Sequence, residues 1–262
     1  MKKSKFATIK EKINKSTIFQ SLKLFFSKPS KILFMILVDL VLIALIMLFS
    51  IQTNFVFTRF ELSSIILFSI VVLINALIMT AIYTLTKLKL LNIVFGYLNE
   101  KPLQWSDFKK FWSLNILLFL IIIIINFTIS LIVTYLIKQE YHQSIFVVAG
   151  LILMFFLYPF VNLVHYSFCK HKSIKKSFSF SLKSLSKSFA YMPNIFFLVA
   201  FIAFYIVVYL INFIVAGVVF KTSQNILVMQ NFAKIVIVCS VAFGYLLYLI
   251  NRVYFLNLIR EK

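Results

Sequence analysis

The sequence predicts an all-α fold, a polytopic integral membrane protein with six transmembrane helices, and three observations carry that prediction. The first is composition: 62% of the 262 residues are hydrophobic and 13% charged, with a mean hydropathy of +1.01, against roughly 45–50% apolar and 25% charged in globular domains. A water-facing globule has too little interior for that much apolar side chain. The second is six nearly uninterrupted apolar runs, each long enough to carry a helix across a hydrocarbon layer of ~30 Å, which takes about 20 residues. The third is that these runs lack the alternation of barrel strands, so helices satisfy the backbone groups in lipid.

Taken in order, residues 1–31 form a basic tail in which Ile18, Leu22, Phe25 and Phe26 recur against Lys15, Lys23 and Lys28, the spacing of an amphipathic helix over Ile13 to Ser27. The transmembrane domain covers 32–259, and its first span is Ile32 to Ile51. The 31 residues before that run and the lack of a small-x-small site after it predict a retained span rather than a cleaved signal peptide. The second span is Leu62 to Thr86. A second amphipathic segment follows, with Leu103, Trp105, Phe108, Phe111 and Trp112 set against Asp107, Lys109 and Lys110. Spans three and four are Leu114 to Ile137 and Ile145 to Cys169. The third amphipathic segment, Ile174 to Phe189, places Ile174, Phe178, Leu182 and Leu185 at helical spacing among lysines and serines. Spans five and six, Asn194 to Phe220 and Ile235 to Ile259, leave 260–262 as the carboxyl end. The surface segments are too short to span and are expected to lie in the interface.

Charge orients the spans. Of 27 Lys and Arg, 23 fall in the amino-terminal tail, in Lys87 to Lys110, in Lys170 to Lys187 or in the carboxyl end, while the alternate loops hold only Arg59, Lys138, Lys221 and Lys234. The positive-inside bias therefore predicts a cell-membrane protein with both termini and the two long loops in the cytoplasm. The net charge of +20 is mainly this topology signal, with anionic headgroups of the bilayer as the expected partner. The chain has no zinc-finger, helix-turn-helix or RNP-like pattern, so no nucleic-acid partner is expected.

The sequence also suggests three parallel repeats of one amphipathic helix plus one helical hairpin, about 85 residues each. Lys23, Phe25 and Pro29 lie 164 positions before Lys187, Phe189 and Pro193, and an Asn between apolar residues recurs as Asn75, Asn162 and Asn251. The middle copy has Phe111 where the proline would fall. In this architecture the chain resembles the six-span prokaryotic membrane families similar to the membrane domain of glycerophosphodiester phosphodiesterases. The resemblance implies a helical membrane unit and carries over no site residue. Mitochondrial carriers, which also triplicate a two-span unit, are set aside because their Pro-x-[Asp/Glu]-x-x-[Lys/Arg] signature is missing.

Polar groups inside spans hold most of the functional information. Asp39 is the only acid in a span core, and a pair with Arg252 or with His165 is sterically open to it. Two roles compete: a packing lock among spans one, four and six, or a proton or cation site. Asn75, Asn126, Asn162, Asn212 and Asn251 are expected to bond between helices. Pro159 lies deep in the fourth span and predicts a kink near Asn162 and His165.

Catalytic signatures are missing: no GxSxG, HExxH, P-loop or GxGxxG occurs, and acids number only seven. Cys169 and Cys239 sit in apolar runs without metal spacing. The sequence thus predicts no enzyme, no cofactor and no metal. It points first to a non-enzymatic protein that organises lipid or serves as an accessory subunit, with a membrane-protein partner or a homo-oligomer. A transporter of a small solute, ion or lipid is the alternative, and an intramembrane enzyme comes third.

Overall fold

In the computed structural model, which describes residues 17–56, 64–187, 190–222 and 226–260, all regular structure among the described residues is helical. The helices are α1 (Thr17–Ser27), α2 (Pro29–Val56), α3 (Ser64–Phe95), α4 (Phe108–Leu136), α5 (His142–His171), α6 (Ile174–Leu185), α7 (Met192–Thr222) and α8 (Ile226–Arg260). Three 3₁₀ turns, Gly96–Leu98, Trp105–Asp107 and Gln139–Tyr141, join them. Six of the helices, α2, α3, α4, α5, α7 and α8, are long and apolar enough to cross a membrane. They run 28 to 35 residues, about 42–52 Å at 1.5 Å per residue, longer than a hydrocarbon core of ~30 Å. Ile13 to Ser16, the Arg59 loop and Phe189 lie outside the described residues.

Two helices extend beyond the segments read from sequence. The second span is expected to stop at Thr86, and helix α3 itself continues to Phe95, carrying Lys87 and Lys89 with it. No helix breaker separates Thr86 from Gly96, and Leu- and Lys-rich sequence propagates helix well. The middle amphipathic segment is no separate surface helix: Phe108 to Trp112 form the opening of α4 itself. A reciprocal cap starts the 3₁₀ turn Trp105–Asp107 that leads into it, in which Gln104 N donates to Asp107 Oδ2 at 2.9 Å while the Gln104 side chain accepts from Asp107 N.

The core gathers at the end of the bundle that carries the basic segments. Phe25, Met35, Leu91, Leu114, Tyr166, Phe168 and Phe255 are fully buried there, whereas Leu48, Leu73, Leu136, Leu151 and Val241 towards the other end are exposed. No span buries more than 17% of its most apolar window, and Asn194–Ile211 of α7 buries none. Helices apolar all round with so little mutual burial match a lipid solvent.

The short elements are fastened to span ends. Helix α1 packs on α8, and Asn257 Nδ2 donates to Ser21 Oγ at 2.9 Å. Leu103, 2% exposed, exchanges two hydrogen bonds with the Asn92 side chain of α3, at 2.9 and 3.2 Å. Helix α6 folds back on α5 through Ser177, Ser181 and Ser184, which are buried at spacings of four and three. Small side chains let the two backbones approach closely, and the Ser177 and Ser181 hydroxyls are satisfied by the carbonyls of Ser173 and Ser177. Ile174, Phe178 and Leu185 flank that contact half-buried, while Leu182 is exposed.

Lysines cap the helix ends. Lys28 Nζ donates to Tyr97 O at 3.0 Å and Asn99 Oδ1 at 3.2 Å at the end of α3, where the helix dipole favours a cation. Lys172, in the left-handed region at φ 52°, closes α5 and bonds Asp107 Oδ2 at 2.6 Å.

Pro159 is buried within α5, which runs unbroken past it. Proline offers no N–H to the carbonyl four residues earlier, that of Phe155. Asn194 Nδ2 from the start of α7 donates to Phe155 O at 2.7 Å and takes the vacant place. Tyr191 stacks on Phe155 beside it, with ring centroids 5.6 Å apart. A helix that shows little burial of its own is thereby pinned to α5.

Candidate functional site

Five spans contribute to a polar belt inside the basic half of the bundle. Asp39 lies ten residues into α2, about 15 Å along its axis, and Arg252 lies eight residues before the end of α8. Arg252 Nη1 donates to Asp39 Oδ2 at 2.8 Å and Nη2 to Oδ1 at 2.9 Å, a bidentate fork that matches guanidinium to carboxylate geometry. Tyr245 donates to Oδ2 at 2.6 Å. Tyr248 places its ring 4.3 Å beneath the guanidinium carbon, a cation–π contact. Tyr245, Tyr248 and Arg252 are spaced three and four apart, which aligns them on one face of α8. Tyr166 of α5 closes the site from behind by donating to Arg252 O at 2.6 Å. Asp39 is 9% exposed and Arg252 3%, so both charges are neutralised in place rather than solvated.

A second network sits beside the first. His165 Nε2 lies 2.7 Å from Asn115 Oδ1, Asn115 Nδ2 donates to Thr84 Oγ1 at 3.0 Å, and Thr84 donates to Thr80 O at 2.6 Å. Trp112 Nε1 meets Thr80 Oγ1 at 3.2 Å. Above His165 opens a cavity of about 290 Å³ between α2, α3, α4 and α5. His165, Asn115, Thr80 and Tyr83 supply its polar lining, and the other walls are aliphatic or aromatic. Asp39 does not line it.

The structure thus brings Asp39 and Arg252 together and sends His165 to a different partner, Asn115. Asn251 Nδ2 reaches the Tyr158 hydroxyl at 2.8 Å, and Asn162 bonds the backbone of its own helix at Tyr158 O, 2.9 Å. Asn75 lies five residues before Thr80 on α3, roughly 7.5 Å along the axis, and takes part in none of the hydrogen bonds above. Asn126 likewise bonds its own helix, at Ile122 O. Beside Thr80 and Thr84, α3 brings Lys87 to the belt, a buried residue within electrostatic reach of Asp39 and Arg252. Sequence reasoning assigned Lys87 to a surface segment and passed over Asn115, Thr84 and the α8 tyrosines. The repeated three-and-four spacing of Thr80, Thr84 and Lys87, and of Tyr245, Tyr248 and Arg252, was the available signal.

Chemically the belt can hold helices in register and accept or donate single hydrogen bonds. Among the described residues no group of three His, Cys, Asp or Glu is close enough to hold a metal ion. Comparison with protein-family models, with curated proteins and with solved structures finds no match.

Proposed function

We propose that this protein is a non-enzymatic membrane protein that organises anionic lipid at the cytoplasmic leaflet, with both termini on that side. The observation that carries the reading is the mounting of its lysines. Lys23, Lys109, Lys110, Lys175, Lys176 and Lys183 are exposed, and each stands on an element anchored to the basic end of a span. A cation held in a fixed position by a docked helix loses little freedom when it meets a headgroup, and each is worth about 1 kcal/mol near an anionic surface.

The same reading takes the chain as three parallel units. Each surface element docks on the second span of the preceding unit: Leu103 on α3, α6 on α5, and α1 on α8. That cyclic order suits a ring closed by the α1–α8 contact. The transport alternative has less support, because both Asp39 oxygens are taken by Arg252 and one also by Tyr245. A coupling carboxylate needs a path to water, and none of the cavity lining is Asp39.

The test is lipid selectivity. With the protein reconstituted in phosphatidylcholine bilayers, spin-labelled phosphatidylglycerol is expected to show a larger immobilised fraction than spin-labelled phosphatidylcholine. The excess should shrink on Lys175→Gln, Lys176→Gln, Lys183→Gln substitution. Equal fractions for the two lipids in the unmodified protein would overturn the reading.

A further inference from the structure

We infer that the groove between α2 and α3 seats one anionic glycerophospholipid, with an acyl chain lying along the two helices and its phosphate at Lys89 and Lys31. The inference rests on the lipid reading above and names a place within it that uses none of the α6 lysines.

The groove is a strip that follows the helix axes. Phe34, Val38 and Val41 line it from α2 at spacings of four and three, and Leu85 and Leu88 from α3 at a spacing of three, so one face of each helix is engaged. It encloses about 380 Å³, more than twice the ~150 Å³ of an apolar cavity that takes up benzene. From Phe34 to Val41 is seven residues, roughly 10.5 Å along the axis, most of the ~15 Å depth of one leaflet. Phe34 and Val41 are 57% and 54% exposed, so a chain can lie down from the side without opening the bundle.

Charge is confined to the basic end of this strip. Lys89, exposed, lies six residues before the end of α3 and one turn past Leu85, and it lines the groove together with Trp105. Thr86, the remaining polar side chain of the lining, gives its proton to its own helix at Tyr83 O, 2.9 Å. The Trp105 ring stacks on Phe108 with centroids 5.3 Å apart and is 70% exposed, the setting of an interfacial indole whose N–H meets headgroups. Two turns past Lys89 on the same face of α3 comes Gly96. Its missing side chain leaves room for the ammonium of Lys31, since a Cβ there would stand 2.5 Å from Lys31 Nζ. Lys31 itself precedes Phe34 by three residues on α2.

The acids that flank the groove in sequence are committed elsewhere. Asp39, next to Val38 on α2, pairs with Arg252, and Asp107, two residues past Trp105, pairs with Lys172. Lys31 and Lys89 take part in no ion pair among the described residues. A hydrocarbon strip that ends at two unpaired cations and an indole donor is complementary to an acyl chain that ends in a phosphate. Phosphatidylglycerol brings a net negative charge to that end. Phosphatidylcholine would set the cation of its choline beside the two lysines and is disfavoured.

The experiment uses the full chain in phosphatidylcholine nanodiscs doped with phosphatidylglycerol that carries a photoreactive diazirine on one acyl chain. Cross-linked peptides identified by mass spectrometry are expected to concentrate on Phe34 to Val41 and Leu85 to Lys89. The same diazirine on phosphatidylcholine measures the background from bulk lipid. Those stretches should take at least about fivefold more label from the phosphatidylglycerol probe, the factor for one lysine at an anionic headgroup. Lys89→Gln should remove most of that preference. Val41→Trp, which fills the groove from an exposed position, should clear the label while leaving the unfolding midpoint unchanged. The Lys175→Gln, Lys176→Gln, Lys183→Gln protein should keep the groove label, which separates this seat from the general headgroup excess. Equal labelling of the groove by the two probes, a preference that survives Lys89→Gln, or loss of the label on the α6 substitutions would overturn the inference. A phosphatidylglycerol excess around the whole protein that persists beside any of these results would leave the headgroup reading standing without the seat.

Discussion

Replacing Asp39 by Asn tests whether the belt is a structural lock. In the unmodified protein Arg252 gives two charge-assisted hydrogen bonds to Asp39, at 2.8 and 2.9 Å, and Tyr245 a third at 2.6 Å. Asparagine keeps one acceptor oxygen, and its amide nitrogen faces the second Nη as donor against donor. Breaking a buried pair from one side costs about 3–5 kcal/mol. The retained acceptor returns about 1 kcal/mol, which leaves a loss of about 3 kcal/mol. For a chain of this size that lowers the unfolding midpoint by roughly 6–12 °C. Adding Arg252→Gln removes the stranded cation and allows a neutral amide pair, so the double variant should recover more than half of the loss. Thermal unfolding in one detergent, followed by circular dichroism across the four members of the cycle, measures this coupling. An Asp39→Asn protein as stable as the original, or a double variant no more stable than the single, would refute the lock.

Three further outcomes follow from other contacts. Asn194→Ala should cost about 1–2 kcal/mol by exposing the Phe155 carbonyl, and almost nothing in a Pro159→Ala background, where the restored N–H takes that carbonyl; equal costs in both would show that the contact does not replace the missing helix bond. Ser181→Leu should destabilise by about 1–3 kcal/mol by overpacking the α5–α6 contact, whereas the same change at exposed Ser179 should be close to neutral, a contrast that unfolding midpoints resolve. In a Cys239→Ser background, needed because Cys239 is exposed and Cys169 buried, an impermeant thiol reagent should label Ser179→Cys only from the cytoplasmic side and Tyr141→Cys only from outside; the reverse pattern would invert the topology.

The fold class was legible because apolar length is the dominant signal in a chain this hydrophobic, and six runs became six long helices. Boundaries were less legible where charge and helix propensity disagree. Lys87 reads as surface by charge, yet nothing between Thr86 and Gly96 stops α3, so propagation carries it inside. The α6 stripe was legible in part. Ile174, Phe178 and Leu185 pack half-buried against the core, but the fully buried positions of the helix are Ser177, Ser181 and Ser184, since small side chains allow backbone approach and hydroxyls can bond their own helix. Asp39 and Arg252 were visible as rare charges in apolar runs. The Asn115–His165 chain was not, because an Asn near a span start looks the same whether it faces lipid, headgroups or a histidine 50 positions on. The role of Asn194 required knowing which helix lies beside the carbonyl that Pro159 frees.

The most direct test of the lipid-organising account is native mass spectrometry of the protein released from nanodiscs of mixed phosphatidylcholine and phosphatidylglycerol. The account expects co-released phosphatidylglycerol in excess of its bilayer fraction. That excess should fall towards the bulk proportion when Lys175, Lys176 and Lys183 become glutamine and should survive Asp39→Asn, Arg252→Gln. Lipid leaving with the unmodified protein in the same proportion as the surrounding bilayer would contradict it.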